Sequence, residues 1–287
     1  MEERILYLDC LSGISGDMTI GALLDLGLDR EAFLTELKEV PVEGYKLKIE
    51  KNQKNGITGV DFDVIIESSG AVHGKGHHHH SQEHSDHGHD NHKHHTEDAH
   101  SHGHHGHGHG EQVVEHHHRN LKDIEKLIDE SALGESVKNM SKEIFMHVAK
   151  AEAKIHDKPI EEVHFHEVGA IDSIVDIIGV AILIHQLNPD KIISSPLHIG
   201  TGFVKCAHGK IPVPAPATLE ILKGIPVYST GIRSELVTPT GAAIVKVLAD
   251  EFADTPLMEI ENIGYGLGTK DLEITNVLRM MVGKKKV

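Results

Sequence analysis

Residues 5–26, ILYLDCLSGISGDMTIGALLDL, contain the strand, loop and helix from which the fold class can be argued. Residues 5–9 form a short apolar run typical of a buried strand. A loop of small residues follows, and residues 17–26 have the apolar spacing of a helix. Because strands and helices continue to alternate along the chain, we expect an α/β fold with mixed sheets and packed helices.

The same patterns predict the remaining elements. Helices are predicted at 29–40, 121–130, 137–156, 171–186, 219–222 and 240–252. Strands are predicted at 45–51, 59–67, 163–165, 191–194, 226–228 and 259–263, and the segment 196–216, rich in Gly and Pro, is predicted to be an ordered loop.

Composition excludes several classes of protein. The chain has 287 residues and a formal net charge of -16 with its 27 His neutral, which argues against a nucleic-acid partner. No apolar run approaches the ~20 residues of a membrane span, so we expect no membrane partner. Two cysteines and an N-terminus without an apolar signal region predict a cytoplasmic protein.

Twenty of the 27 His lie between His73 and His118, in a segment with almost no apolar residue. Such a segment cannot repay the entropy of ordering, so we expect a long disordered His-rich insertion. The predicted organisation is an N-terminal α/β unit at 1–72, the insert at 73–118 and a second α/β unit at 119–287.

Imidazole suits nickel, zinc, copper and cobalt, and many imidazoles on a flexible chain suit metal storage or delivery. A solvated linker and an expression tag are the alternatives, although an internal tract mixed with Asp, Gly and Ser is unlike a tag. The predicted ligands in the tract are His77, His78, His79, His80, His102, His104, His105, His107 and His109.

Residues 163–179, VHFHEVGAIDSIVDIIG, form the second candidate site. His164 and His166 alternate around one residue in a predicted extended stretch, so both imidazoles would point to one side. Asp172 and Asp176 are four apart and would share a helix face. With Glu167, these residues could bind one metal ion and supply a general base. In the alternative reading they are half-buried histidines, a helix cap and a solvated face.

The loop in residues 8–18, LDCLSGISGDM, is the third candidate. Its backbone N–H groups could hold a phosphate, and Asp9 and Asp17 could bind a hard cation that bridges to it. We therefore assign nucleotide binding to Ser12, Gly13, Ser15 and Gly16. A tight strand-to-helix turn explains the pattern equally well.

Two further segments carry weaker signals. Cys206 and His208, with His198 nearby, could hold a thiophilic metal, although a packed thiol is the simpler reading of Cys206. The glycine-rich residues 264–271, GYGLGTKD, could approach a phosphate or form a flexible turn.

In this order, the segments resemble the nickel insertion proteins of the lactate racemase system. The resemblance is carried by LYLDCLSGISGDMTIGALLDLG, the mid-chain His-rich insert, VHFHEVGAIDSIVDIIG, GTGFVKCAHGKIPVPAPATLEILKGIPV, ELVTPTGAAI and GYGLGTKD followed by NVLR. It covers almost all of the chain outside the tract.

The resemblance implies a nickel chelatase (cyclometallase) of the lyase class. Its substrate would be the small nucleotide pyridinium-3,5-bisthiocarboxylic acid mononucleotide, which takes Ni(II) between two sulfurs and forms a nickel–carbon bond. CTP with Mg(II) or Mn(II) would be consumed, and the product would be the nickel-pincer cofactor. Because metallation removes a ring proton, Glu167 or His166 is the candidate base.

Members of that family are often longer, with a C-terminal domain that binds CTP, which we expect to be absent here. The expected partners are therefore a separately encoded C-terminal part, a lactate racemase-type apoenzyme and further copies of this chain in a homo-oligomer. The alternative function is non-catalytic nickel storage or delivery.

Overall fold

The computed structural model describes residues 2–67, 119–163, 165, 170–206 and 209–286. These residues form a mixed α/β fold, as the alternation of strands and helices predicts. The α-helices are α1 (Gly16–Asp25), α2 (Arg30–Leu37), α3 (Leu121–Glu130), α4 (Glu135–His156), α5 (Ile171–Leu187), α6 (Pro216–Ile221) and α7 (Pro239–Leu248). The strands are β1 (Glu2–Asp9), β2 (Tyr45–Lys54), β3 (Ile57–Ile66), β4 (Lys191–Ser194), β5 (Leu197–His198), β6 (Phe203–Cys206), β7 (Gly209–Pro212), β8 (Val227–Tyr228), β9 (Glu251–Phe252), β10 (Glu259–Leu267) and β11 (Val277–Lys286).

The main sheet has seven strands in the order β2-β3-β10-β11-β1-β4-β9. Strand β11 lies between β10 and β1 and is antiparallel to both, so β1 and β10 run parallel to each other. Their carboxyl ends therefore lie at one edge of the sheet, the edge where ligands bind in open α/β sheets. This topology brings the loop before α1 close to the residues that follow β10.

The two faces of β1 bury different clusters, as expected from the alternation of side chains along a strand. Leu6 and Leu8 belong to the large core shared with the helices. Ile5 and Tyr7 point to the other face, where they belong to a small cluster with Met281. The helical layer on the first face is the one that positions the candidate site.

Glycines explain how closely α1 packs on the sheet. A Cβ atom at Gly266 would lie 1.8 Å from the Met18 carbonyl oxygen, and one at Gly264 would lie 2.2 Å from that of Ala22. Both glycines belong to β10, which extends to Leu267, so the predicted strand end at 263 is wrong. Their absent side chains make room for helix α1 and leave none there for a phosphate.

Several predicted boundaries differ from the structure. Residues 163 and 165 are not in a strand, because Val163 closes a short 3-10 helix at Ile160–Glu162. The predicted loop at 196–216 contains the hairpin of β6 and β7. Strand β11 was not predicted, and α7 ends at Leu248, four residues before the predicted end.

Strands from both sides of the His-rich tract belong to the main sheet. Where the sequence predicted two separate α/β units, the described residues before 68 and after 118 thus form one compact unit. The predicted disordered insert at 73–118 lies outside the described residues. No helix in the described part of the chain combines the length and the apolar character that crossing a bilayer requires.

Candidate functional site

Three helices begin at one cavity of about 250 Å³, which we call the acidic cavity. Its carboxylates come from Asp17 in the first turn of α1, Asp172 and Asp176 on α5, and Glu235 before α7. The remaining described lining residues are Ser15, Gly16, Ser173, Thr238, Pro239 and Thr240, and none of the described lining side chains is basic. The sequence placed Asp17 and Asp172 in different motifs, and the tertiary structure brings them to one cavity.

Asp176 has an unsatisfied oxygen inside the protein. Its Oδ1 atom is inaccessible to solvent and has no hydrogen-bond partner among the described residues. A buried acceptor without a donor costs about 1–3 kcal/mol, and more when it is charged. Asp176 as a whole is only partly buried and lines the cavity, whereas its neighbours Val175 and Ile177 on α5 are buried in the core.

A glycine allows the close approach of α1 to this carboxylate. A Cβ atom at Gly16 would lie 2.5 Å from Asp176 Oδ2, which is closer than non-bonded atoms approach. The N-terminus of α1, with its partial positive charge, therefore lies against Asp176. This contact holds the carboxylate in place without supplying it with a cation.

Burial is the main cause of the pKa shifts at the cavity. It raises the pKa of the Asp176 carboxyl well above its ordinary value, and the negative charges of Asp17 and Asp172 raise it further. Burial also raises the pKa of Asp17, against the opposing effect of hydrogen bonds from Ser15 and the backbone of Met18. Carboxylates that are desolvated and mutually repelling favour either a shared proton or a bound cation.

A smaller cavity of about 100 Å³, which we call the Lys270 cavity, adjoins the first. The two have Ser15, Asp17, Glu235 and Thr238 in common. The smaller one is also lined by Gly268, Thr269, Lys270 and Asn276, which follow or flank the carboxyl end of β10. The Lys270 ammonium donates a 2.8 Å hydrogen bond to the backbone carbonyl of Glu235.

Backbone hydrogen bonds fix the loop before α1. Gly13 N–H donates to the Cys10 carbonyl and Ile14 N–H to the Leu236 carbonyl, at 3.0 and 2.9 Å. The Ser12 hydroxyl donates to the Thr275 carbonyl at 2.8 Å. Of the four residues assigned to nucleotide binding, Ser15 and Gly16 line the acidic cavity, whereas the described polar groups of Ser12 and Gly13 bond to the backbone.

Asp9, the other predicted cation ligand of this loop, has a different environment. It is 5% exposed and lies opposite Arg279 in the β1–β11 register. The Arg279 guanidinium donates two hydrogen bonds to Asp9 Oδ2, from Nε at 2.8 Å and from Nη2. The protein thus supplies the cation for this carboxylate.

His198, the last residue of β5, has a hydrogen-bond partner at each ring nitrogen. His198 is buried, its Nδ1–H donates to the Leu11 carbonyl at 2.7 Å, and its Nε2 accepts from the Thr230 hydroxyl at 2.8 Å. Since both nitrogens are used, His198 is a structural residue here, stacked on Tyr228. Cys206 ends β6, and its side chain lies outside the description.

The other predicted site residues lie outside the described residues. They include the two candidate general bases, His166 and Glu167, and the predicted metal ligands His164 and His208. The predicted ligands of the tract are also among them: His77, His78, His79, His80, His102, His104, His105, His107 and His109. Within the described ranges, no three or more His, Cys, Asp or Glu side chains are grouped so that they could hold a metal ion. The acidic cavity therefore offers an incomplete ligand set by itself.

The family model for nickel insertion proteins matches residues 6–287. The chain belongs to the nickel insertion protein family. A putative nickel insertion protein of Dictyoglomus thermophilum is 47% identical over 281 residues, 98% of this chain and 61% of the relative. Pyridinium-3,5-bisthiocarboxylic acid mononucleotide nickel insertion proteins of Acetivibrio thermocellus and Clostridium acetobutylicum are 46% and 50% identical, over 99% of this chain and 61% and 64% of theirs.

This member of the nickel insertion family thus spans less than two thirds of the length of these curated relatives. No solved structure matches the chain.

Sequence reasoning missed Glu235, Thr238, Thr240 and Lys270 as cavity residues. A signal for one of them was present, because Thr238 followed by Pro239 is the pattern of an N-cap before a proline at the first helical position. Thr238 Oγ1 indeed accepts from the Gly241 backbone N–H at 3.1 Å. Nothing local in the sequence indicates that this helix start lies against the loop before α1.

Proposed function

We propose that this chain takes part in the insertion of Ni(II) into pyridinium-3,5-bisthiocarboxylic acid mononucleotide, the substrate named for its relatives. The observation that carries the proposal is the buried, unpartnered Oδ1 of Asp176 in a chain of the nickel insertion family. In this reading, a divalent cation supplies the positive charge that the described lining residues of the acidic cavity lack.

The donor set of the acidic cavity is made of carboxylate and hydroxyl oxygens. Oxygen ligands suit Mg(II) and Mn(II), whereas Ni(II) is better held when imidazole is added. We therefore assign the hard cation to Asp17 and Asp176, and nickel to a set that includes Asp172, His164 and His166. In the sequence these two histidines precede Ala170, the N-cap of α5, by six and four positions.

Nickel–carbon bond formation displaces the ring proton between the two thioacid sulfurs, so a base must accept that proton. Glu167 or His166 is the proposed base, since either residue type accepts a proton near neutral pH when its environment is tuned. The pair precedes α5 directly in the chain, and α5 carries Asp172 and Asp176.

The proposal for the whole reaction includes further components. These are CTP with Mg(II) or Mn(II), a C-terminal part supplied separately, assembly into a homo-oligomer and delivery of the product to a lactate racemase-type apoenzyme, as a cytoplasmic lyase-class reaction.

Nickel storage and delivery is the second candidate function. Twenty of the 27 His lie within residues 73–118, and such low-complexity tracts favour metal binding. A store would need the tract but not the acidic cavity, which separates the two candidates experimentally.

The test is nickel insertion into the mononucleotide, with CTP, Mg(II), excess nickel and the C-terminal part of a relative added. We expect a chain lacking residues 73–118 to remain active in excess nickel, because a reservoir is then unnecessary. Asp176→Asn, and the double variant His166→Ala with Glu167→Ala, should each lose activity.

The outcomes separate the candidates. If the tract deletion abolishes insertion at any nickel concentration, the tract is more than a reservoir. If Asp176→Asn retains full activity, the acidic cavity has no part in the reaction. Lys122→Met, an exposed substitution on α3, serves as the matched surface control.

A further inference from the structure

The acidic cavity and the Lys270 cavity differ in charge along their length. Asp172 and Asp176 line only the first, whereas Lys270 lines only the second. Lys270 is the only basic side chain among the described residues that line either one. A ligand that reaches across both would meet carboxylates at one end and an ammonium group at the other.

Hydroxyl groups and helix starts lie between these ends. Thr238 lines both cavities, and Thr240 lies in the first turn of α7. The starts of α1 and α7 are held together, because Ile14 N–H donates to Leu236 O at 2.9 Å and Thr238 N–H donates to Ile14 O at 3.2 Å. Helix N-termini and hydroxyls are donors suited to phosphate oxygens.

A bare phosphate does not fit this site electrostatically. Four carboxylates line the acidic cavity, and a single lysine cannot offset both them and a phosphate dianion. The Asp176 Oδ1 atom, which has no hydrogen-bond partner among the described residues, independently favours a bound cation.

A site that binds a hard cation together with a phosphate does not need three protein side chains. No three described His, Cys, Asp or Glu side chains are grouped to hold a metal ion. Mg(II) is typically held by one or two carboxylates together with substrate phosphate oxygens and waters, so such a site needs its phosphate to be complete.

We propose that the two cavities form one binding site for the phosphate monoester of a nucleotide, bound as its complex with a hard divalent cation. Asp17 and Asp176 hold the cation, and Thr238, Thr240 and Lys270 hold the phosphate. The inference rests on the proposed function in one respect, namely that the cavity carboxylates bind a cation.

The test is calorimetric titration of the full chain with nicotinic acid mononucleotide, a pyridinium nucleotide with one phosphate, in Mg(II) or in EDTA. The phosphate-free riboside is the matched ligand. We expect binding of the mononucleotide that is lost in EDTA and at least tenfold weaker binding of the riboside. Lys270→Met should weaken mononucleotide binding about tenfold, since a charge-assisted hydrogen bond is lost.

Two variants control for folding and charge. Lys270→Arg keeps the charge and should bind within about threefold of the unmodified chain, as expected for an exposed cation at a phosphate. Lys122→Met removes an exposed lysine from α3 and should change nothing. Unchanged mononucleotide binding in Lys270→Met, binding that persists in EDTA, or a riboside that binds equally well would each overturn the inference.

CMP and inorganic phosphate distinguish the source of the phosphate. Tighter binding of nicotinic acid mononucleotide supports the site as the one for the pyridinium nucleotide, and tighter binding of CMP supports it as the site for a cytidine nucleotide. Equal binding of inorganic phosphate overturns the nucleotide assignment. Phosphate binding that depends on Lys270 and Mg(II) in a chain without insertion activity would leave this inference standing while the proposed function failed.

Discussion

Asp9 is a buried residue and Asp176 has a buried Oδ1 atom, and the sequence marked both as cation ligands, yet the structure treats them differently. Arg279 donates two hydrogen bonds to Asp9, whereas Asp176 keeps an oxygen without any partner. A buried charge must be paired or it costs several kcal/mol. The comparison teaches that burial of a carboxylate does not by itself identify a cation site. A carboxylate oxygen without a partner among the described residues is the better indicator.

The first prediction concerns Asp176→Asn, which should have the largest effect. Removing the charge should weaken binding of Mn(II), a hard cation that prefers oxygen over imidazole, by about 100-fold or more, because Asp176 is proposed as a direct ligand and loss of an outer-shell partner alone costs about 10–100-fold. Electron paramagnetic resonance of free Mn(II) at pH 7.5 measures this affinity. Unchanged Mn(II) affinity in this variant would show that Asp176 is not a ligand of the cation.

Asp9→Asn should give the opposite pattern. We expect the free energy of unfolding to fall by about 2 kcal/mol, below the 3–5 kcal/mol of a fully buried pair because Arg279 stays 41% exposed. Mn(II) affinity should not change. Urea unfolding gives the first quantity, and Glu261→Gln, which breaks the exposed pair with Lys284 on β11, is the matched control with at most about 1 kcal/mol.

Gly16→Ala tests the close approach of α1 to Asp176. The new Cβ would lie 2.5 Å from Asp176 Oδ2, so helix or carboxylate must move, at a cost of about 1–3 kcal/mol. Gly134→Ala, at the N-cap of α4 with no atom within 4 Å of the added Cβ, should stay within about 1 kcal/mol. Equal thermal unfolding temperatures for the two variants would show that the contact is not tight.

The last prediction concerns the pH dependence of metal binding in the unmodified chain. Burial raises the pKa of Asp17 and Asp176, so metal binding at lower pH must displace protons, and Mn(II) affinity should fall about tenfold per pH unit for each proton released. In the metal-free chain, the free energy of unfolding changes with pH in the opposite direction to the metal affinity. Stability from these raised pKa values is fully present below the ordinary Asp pKa of about 3.9 and is lost as pH rises through the raised values. Mn(II) titrations between pH 5 and pH 8 would refute this if the affinity stayed constant in the unmodified chain.

Part of the fold followed from local patterns. The predicted helix at 121–130 has the observed bounds, and the helix starting at Ile171 ends one residue beyond its predicted end. The strand β11 was missed, because its apolar run ends in three lysines and has no local partner. Antiparallel pairing with β1 and β10 creates that strand, and such long-range pairing is not encoded in a short window.

The sequence by itself determined the α/β class, the nickel insertion family and the presence of buried-type helices that carry acids. Only the tertiary structure decided which acid meets which group: a register partner places Arg279 on Asp9, while one oxygen of Asp176, against which α1 packs, has no hydrogen-bond partner among the described residues. The physical reason is that residue type fixes what a side chain can bind. Whether its charge is already met depends on neighbours that are distant in the chain.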